Sequence, residues 1–390
     1  MTCADLDLKV DLQPSAVSPD QYSVEVINSP CGRTSAFPLS LPTDLDSRVR
    51  RLRERETDQD TTKLLGMTLF ASLFPTRIRE IWGQMLGSPQ IVRVRLDIRV
   101  PELMNLPWEL LHDGRKYLAL SDSTPLVRFL AEHSSSENLA VEGALNFLLV
   151  TSTPTDLSAL PGVRLELNAI LNQLEGSHRK IRLQRPEKIE HVSLSALRPK
   201  LSDAHVVHYM GHGEFSSNRG YLWLENGDGS GQRQAAEIVG NHMRDGAVRV
   251  LVLNACDTAI ASTATSLIGV AQATHAVGVP VVVAMQQTIL DSAAPKFAHG
   301  FYRALLDGKP IESCMVAGRL AMQEHLGLDS AEWAIPVMFS NAPAGELCWL
   351  QRDKSVAQPQ PGTINAPGAV GTFVQGNVAG DVCGTKIVNH

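Results

Sequence analysis

Two residues with side chains suited to nucleophilic chemistry each follow a short apolar run. His212 lies near the end of 204–213 (AHVVHYMGHG), and Cys256 lies within 248–259 (VRVLVLNACDTA). Runs rich in Val and Leu are typical of strands that are buried on both faces of a parallel sheet. The carboxyl ends of such strands meet at the edge where doubly wound folds bind their ligands. We therefore expect the imidazole of His212 and the thiol of Cys256 to meet at that edge.

Backbone amides beside these two side chains predict an oxyanion hole. Gly211 and Gly213 flank His212, which allows a sharp turn and lets the Gly213 amide approach a substrate oxygen. Cys256 lies where a strand gives way to a loop before an apolar helix, so its own amide is expected to point at the same oxygen. A cationic His212 and the N-terminus of that helix would both favour the thiolate of Cys256.

These residues resemble the histidine and cysteine motifs of the caspase-like proteases, and more closely those of the CHAT family within that group. In caspases the histidine lies about 50 residues before a cysteine that follows Gln-Ala. Here His212 precedes Cys256 by a similar interval, and the preceding pair is Asn254-Ala255. Further segments resemble CHAT landmarks in CHAT order and together cover residues 60 to 345: 105–111 (NLPWELL), 126–128, 254–259 (NACDTA), 301–306 (FYRALL) and 333–339 (WAIPVMF).

The resemblance implies a fold and an activity. The expected fold is α/β, a caspase-like three-layer sandwich with a mainly parallel sheet, preceded by a degenerate half-domain. The expected activity is that of a cysteine endopeptidase acting on a protein substrate through a dyad of Cys256 and His212, with no metal and no cofactor. The appended tail further suggests that the chain is a bacterial-type effector and that an activating partner regulates it.

The resemblance also places a substrate pocket. In caspase-like proteases the pocket for the residue before the cut is lined by the loop after the first strand, the position two before the cysteine and the strand after it. These places hold Asp156, Asn254 and the segment 285–291, which ends in Asp291. A carboxylate from Asp156 or Asp291 in the pocket would favour a basic residue. Asn254 weakens this expectation, since basic-specific relatives often have aspartate there.

Other interpretations of the same residues stay open. His208 and His212 form a His-x-x-x-His pattern that suggests zinc, but strand-like residues between them and the lack of an acidic residue argue against a zinc helix. His208 is expected instead to support the site by hydrogen-bonding the loop. The alternative function is a non-catalytic module that binds partners on a caspase-like fold. A serine hydrolase is disfavoured because the chain has no Gly-x-Ser-x-Gly motif.

Composition narrows the class of protein. The 390 residues are 44% hydrophobic with a formal net charge of -6, which suits a globular chain and gives no reason to expect nucleic acid as a partner. No apolar stretch approaches 18 residues, so we expect neither a membrane span nor a signal peptide. The six cysteines have no paired spacing, so we expect a reducing, cytoplasmic setting.

The first part of the chain divides into an extension over 1–60 and an N-terminal half of the CHAT region over 61–144. Within the extension, 23–27 is a candidate edge strand. Residues 91–100 (IVRVRLDIRV) alternate apolar and charged side chains, which predicts a half-buried strand. Glu109 and His112 in the next segment are candidates for catalysis, although a structural role is the more common one for such residues.

The protease half is predicted over 145–350, where strand and helix patterns alternate. Helical stripes are formed by the apolar residues of 163–174 and 297–305. The candidate strands are 146–151, 205–209, 248–253, 279–285 and 336–339.

The remaining 351–390 is a tail rich in Gly, Val and Asn, which cannot form a core of its own. It is expected to be either disordered or a β-forming segment through which copies of the chain assemble.

Overall fold

The strands of this protein form two sheets. In the computed structural model, which describes residues 2–13, 21–88, 90–131, 139–176, 180–217, 219–255 and 266–351, the strands are β1 (Cys3–Leu12), β2 (Tyr22–Asn28), β3 (Phe37–Leu39), β4 (Ile91–Ile98), β5 (Leu126–Arg128), β6 (Phe147–Thr151), β7 (Glu187–Ile189), β8 (Val206–Gly211), β9 (Gly213–Ser216), β10 (Arg219–Glu225), β11 (Gly231–Ala235), β12 (Val250–Ala255), β13 (Val281–Met285) and β14 (Pro336–Ser340).

Ten α-helices are found among the described residues. They are α1 (Leu45–Arg53), α2 (Gln59–Leu73), α3 (Thr76–Leu86), α4 (Pro101–Met104), α5 (Gly162–Glu175), α6 (Leu194–Lys200), α7 (Ala236–Arg244), α8 (Ser266–Ala276), α9 (Ala294–Leu306) and α10 (Ile311–Leu326). Short 3-10 helices cover Trp108–Leu110, Leu118–Leu120 and Glu332–Ala334. No helix in the described ranges is both long and apolar enough to cross a membrane.

The large sheet is mixed but mainly parallel. Its 11 strands run in the order β3-β2-β1-β4-β5-β14-β13-β12-β8-β6-β7. The antiparallel pairs are β1 with β2, β2 with β3, and β13 with β14, and the other neighbours are parallel. Strands β9 to β11 form a separate antiparallel sheet directly after β8.

The predicted fold class is confirmed. Each of the five candidate strands of the protease half is a strand of the large sheet, and β6, β8, β12 and β13 are buried apolar segments. Helices cover the sheet: α5 packs on α9 and α9 on α10, while α7 packs on α8. The apolar stripes on α5 and α9 bury Leu167, Ile170, Phe297 and Phe301. The result is a three-layer α/β sandwich.

The prediction of a half-buried strand at β4 is wrong, because all of its residues are buried. The two arginines of β4, Arg93 and Arg95, form ion pairs with Asp5 and Asp7 on the neighbouring strand β1. The parallel register aligns Asp5 with Arg93, Asp7 with Arg95, and Lys9 with Asp97. Arg93 contacts Asp5 at 2.7 Å and Glu312 of α10 at 2.7 Å. Ion pairing thus allows an alternating strand to lie in the interior.

The candidate edge strand at 23–27 is part of β2, and the prediction that it lies at an edge is wrong. β2 pairs with β1 on one side and with β3 on the other. Since β1 also pairs with β4, the first strands of the chain continue the large sheet. Strand β3 follows Pro30 and is the outermost strand at this end of the sheet. It contains Pro38, and proline is tolerated in an edge strand.

Candidate functional site

His212 is the single residue between β8 and β9. The side chain is 5% exposed, and its Nε2 atom lies 2.9 Å from the carbonyl oxygen of Ser158 in the loop between β6 and α5. A carbonyl oxygen only accepts hydrogen bonds, so Nε2 carries the hydrogen in this contact. In the neutral ring Nδ1 is then the basic nitrogen. The loop after β6 therefore fixes both the orientation and the tautomer of His212.

The turn that carries His212 is held by a buried tyrosine. The Tyr209 hydroxyl lies 3.0 Å from the carbonyl oxygen of His212 and 2.6 Å from that of Trp223. Burial raises the pKa of Tyr209, so its hydroxyl stays protonated and can donate. A Cβ atom on Gly211 would lie 2.5 Å from this hydroxyl and 2.9 Å from the carbonyl oxygen of Ser152. The turn consequently requires glycine at this position.

The register of β9 and β10 orients the Gly213 amide. The Trp223 amide donates to the carbonyl of His212 at 3.0 Å, and the pairing continues with Gly213 opposite Leu222 and Glu214 opposite Tyr221. Hydrogen-bonded and non-hydrogen-bonded pairs alternate along an antiparallel ladder. Gly213 is thus in a non-hydrogen-bonded pair, and its N–H points away from β10. The β10 ladder therefore leaves this N–H unused, and its role as an oxyanion-hole donor stays a prediction.

Strands β8 and β12 are parallel neighbours, and their last paired residues are Gly211 and Ala255. His212 directly follows the first of these and Cys256 directly follows the second. Cys256 itself lies in 256–265, outside the described residues, and so does its predicted contact with His212. What the described residues establish is that the two strands end at the same level of the sheet.

A buried polar cluster lies under these two strands. Glu166 of α5 accepts a hydrogen bond from Nδ2 of Asn254 at 2.5 Å, and its other carboxylate oxygen is 3.2 Å from Nε2 of His208. Nδ1 of His208 lies 2.7 Å from the hydroxyl of Tyr302 on α9. Burial, followed by the charge of Glu166, raises the pKa of Tyr302 and keeps that hydroxyl protonated. We name Glu166, His208, Asn254 and Tyr302 the buried polar cluster.

This cluster contains His208. Its ring points from β8 toward α5 and α9, where its neighbours are Tyr302 and Glu166, and a hydrogen bond from His208 to the loop stays a prediction. Asn254 is likewise buried, with its amide on Glu166. A contact of Asn254 with substrate stays a prediction.

The two carboxylates predicted for the substrate pocket are both exposed. Asp156 lies in the same loop as Ser158, and its Oδ1 accepts the Gly231 amide at 2.7 Å, which ties the loop to the hairpin of β10 and β11. Asp291 lies against the start of α5, since a Cβ on Gly162 would be 2.5 Å from its Oδ1. Both remain predicted pocket residues, one on each side of the 157–161 segment.

Glu109 and His112 have contacts that suit a structural role. The Glu109 carboxylate contacts Arg128 with both oxygens, at 3.1 Å and 2.8 Å, and its Oε2 also accepts from Gln286 at 3.2 Å. All three side chains are buried. Nδ1 of His112 accepts the Gly114 amide at 3.0 Å within a turn. Among the described residues, no group of three or more His, Cys, Asp or Glu side chains is arranged to hold a metal ion.

Comparison with known protein families matches the CHAT domain to residues 65–341, which is more than half of the chain. The chain belongs to the CHAT domain family. Its fold is caspase-like, and it shows similarity to solved structures at low sequence identity. No curated protein matches the chain.

The separase of the Saccharomyces cerevisiae separase–securin complex is similar to this CHAT protein with a TM-score of 0.52 at 11% identity, covering 89% of this chain. The matched part is 30% of that chain, so this CHAT protein spans less than a third of its length. RgpB of Porphyromonas gingivalis gives a TM-score of 0.42 at 11% identity over 77% of each chain. The Drosophila initiator caspase Dronc gives 0.35 at 9% identity, covering 56% of this chain and 85% of that one.

Four residues that shape this site of the CHAT protein were not found from the sequence: Ser158, Glu166, Tyr209 and Tyr302. Glu166 had a usable signal, because it is a carboxylate on the buried face of α5, between Val163 and Ile170. Tyr302 adjoins the apolar stripe of α9. Ser158 acts through its backbone carbonyl and therefore left no signal in the side-chain pattern.

Proposed function

We propose that this CHAT protein is a cysteine endopeptidase with Cys256 as nucleophile and His212 as general base. One observation carries the proposal. Strands β8 and β12 are paired in a register whose last two residues are Gly211 and Ala255. Parallel strands lie about 4.8 Å apart, so Gly211 and Ala255 lie side by side at the carboxyl edge of the sheet, and we infer that His212 and Cys256 follow them there. That edge is where α/β sheets bind ligands.

The proposed reaction combines Nδ1 of His212 and the amide of Gly213, described above, with the predicted thiol and amide of Cys256. Nδ1 of His212 accepts the proton of the Cys256 thiol, and the thiolate attacks the carbonyl carbon of the scissile peptide bond. The resulting oxyanion accepts hydrogen bonds from the amides of Gly213 and Cys256. Collapse of this intermediate breaks the C–N bond, and the imidazolium returns its proton to the leaving amine. Water, deprotonated by Nδ1, then hydrolyses the thioester and restores the thiol.

Other cysteines of the chain are poorly suited to this role. Burial raises the pKa of the Cys3 thiol to about 11, and it raises the pKa of the Cys314 and Cys348 thiols well above the ordinary value. A high pKa keeps a thiol protonated at neutral pH, and the thiolate is the reactive form. None of these three is placed at the carboxyl ends of β8 and β12. We expect these three thiols to react slowly, which leaves Cys31 and Cys383 as the cysteines to be distinguished from Cys256 in the intact chain.

We further propose that the enzyme cleaves after a basic residue. Asp156 and Asp291 are exposed carboxylates on loops that adjoin the 157–161 segment, which also contacts His212 through Ser158. A cationic side chain of the substrate between them would gain an ion pair on each side. Asp291→Asn is then expected to raise KM for basic substrates more than for neutral ones.

We also propose that the protease is a regulated effector that is activated by a protein partner or by assembly through its tail at 351–390. Nearly all of that tail lies outside the described residues. Support comes from the yeast separase structure, which contains securin as a protein partner. We retain the prediction of a reducing, cytoplasmic setting, which rests on cysteine spacing.

Cleavage of a diverse peptide library, mapped by mass spectrometry, tests the proposed activity. The wild-type chain, Cys256→Ala and the control Cys31→Ala are compared under reducing conditions. Cuts made by the wild type and by Cys31→Ala but absent with Cys256→Ala support the proposal. Cuts that persist with Cys256→Ala overturn it. Absence of cuts with every chain rejects activity of the isolated protein, and labelling of Cys256 by a thiol-reactive acyl probe then separates a protease that awaits its activator from the non-catalytic alternative.

A further inference from the structure

A groove lies between α2, α3 and the turn that follows the 3-10 helix Trp108–Leu110, and its lining contains no residue of the proposed protease site. Its volume is ≈ 660 Å³, the nearly buried Phe70 and Trp82 lie at its floor, and Met67 and Leu86 line it as exposed side chains. Met67 and Leu86 are each 41% exposed. Single exposed apolar side chains are normal on protein surfaces, so a further observation is needed to mark this groove as a site of interaction.

One wall of the groove is open because α3 contains a glycine in its last turn. A Cβ atom on Gly83 would meet no heavy atom within 4 Å, so nothing in the described chain excludes a side chain there. Glycine weakens a helix relative to alanine, and in a helix it commonly has a packing or functional reason. A partner that approaches the α3 backbone closely supplies that reason.

Charge at the rim of the groove is positive and available. Arg79 and Arg115 both line it and are exposed. Neither guanidinium is in an ion pair with any residue that the structure describes. Asp113 is the acidic residue of the lining, and its Oδ1 already accepts the amides of Arg115 and Lys116. The groove therefore combines an apolar floor with two arginines that lack a carboxylate partner.

We propose that this groove binds an acidic amphipathic helix of another protein. Large apolar side chains spaced three or four residues apart on that helix fill the surface between Met67 and Leu86, and its carboxylates pair with Arg79 and Arg115. The surface of the helix that faces Gly83 packs directly against the α3 backbone. This interaction does not depend on Cys256 or His212, so it stands or falls separately from the proposed protease activity.

A displayed library of helical peptides of about 15 residues, selected on the full chain, is the test. We expect enrichment of peptides with large apolar residues at helical spacing flanked by Asp or Glu. Their affinity is expected to fall about tenfold or more for Gly83→Trp, which fills the groove, and by less for Gly83→Ala, which adds one methyl group between the partner and the α3 backbone. Arg79→Glu combined with Arg115→Glu should weaken binding similarly, whereas Arg77→Glu, on α3 but outside the groove, should not.

Thermal unfolding of each variant establishes that the comparison is made between folded chains. If Gly83→Trp is destabilised, the double arginine variant decides the question alone. The proposal is overturned if no peptide is enriched, or if the enriched peptides bind the wild type and the double arginine variant equally. It is also overturned if sedimentation shows that the wild type self-associates and Gly83→Trp is monomeric, because the occupant is then a second copy of the chain.

Discussion

Asn254 on β12 donates a hydrogen bond from Nδ2 to the buried carboxylate of Glu166 on α5. Asn254 lies two residues before Cys256, and the same carboxylate is 3.2 Å from His208, four residues before His212. One helix thus contacts both strands that lead into the proposed dyad. We infer that Glu166 positions the ends of β8 and β12 relative to each other.

Glu166→Ala is predicted to lower the free energy of unfolding by about 3 kcal/mol, because it leaves Asn254 and His208 buried without the carboxylate. Glu175→Ala, at the exposed end of the same helix, is the matched control and should change stability by less than about 0.5 kcal/mol. Denaturant unfolding measures both. Equal effects of the two substitutions would contradict the structural role given to Glu166.

Tyr209→Phe is predicted to lower kcat more than it raises KM, because the hydroxyl holds the carbonyl of His212 while no substrate contact is removed. Its cost in the free energy of unfolding should be about 1 kcal/mol. Tyr221→Phe, on the adjacent β10, is the control. Steady-state kinetics on a cleaved peptide, with unfolding measured in parallel, would count against this role if activity of the folded Tyr209→Phe chain were unchanged.

Burial of β4 gives a prediction about the first half of the chain. Arg93→Met leaves the carboxylates of Asp5 and Glu312 buried without their cation, so the free energy of unfolding should fall by about 3–5 kcal/mol. Arg77→Met removes an exposed ion pair with Glu80 and should cost less than about 1 kcal/mol. A loss for Arg93→Met no greater than for Arg77→Met would show that the buried pairs do not stabilise the sheet.

His112 is predicted to titrate below the ordinary pKa of 6.5, because burial disfavours the imidazolium and Lys63 repels it. The folded chain then binds this proton less readily than the unfolded chain does. The contribution of neutral His112 to the free energy of unfolding is therefore fully present above pH 6.5. It is lost as the pH falls through the lowered pKa of the folded chain. NMR titration should show the pKa rising in Lys63→Met. A wild-type pKa at or above 6.5 would contradict the prediction.

The protease half could be predicted from the sequence because its strands are continuous apolar runs. β6, β8, β12, β13 and β14 each lie within about two residues of the predicted range. A run of this kind has one stable location, between layers of helices. The alternating pattern of β4 is ambiguous, because charged side chains suit either solvent or a charged neighbour. The mirrored pattern of β1, Asp-Leu-Asp-Leu-Lys against Arg-Val-Arg-Leu-Asp, would have resolved it.

The candidate site could be predicted only in part, because the sequence shows which side chains follow the strands but not which contacts the folded chain makes. His212 was found because glycines flank a reactive side chain at a strand end. Its partner Ser158 contributes a main-chain oxygen, which any residue at that position would offer. The buried polar cluster depends on contacts between β8, β12, α5 and α9, and only the folded chain brings these elements together.

Labelling of the intact chain by a thiol-reactive acyl probe tests the relationship between Cys256 and His212 most directly. Mass spectrometry follows the rate of modification at each cysteine in the wild type, in His212→Ala and in the control His325→Ala. The account predicts that Cys256 reacts fastest and that His212→Ala slows its reaction by about 100-fold, while His325→Ala leaves the rate unchanged. Labelling of Cys256 at the same rate in all three chains would contradict the proposed dyad.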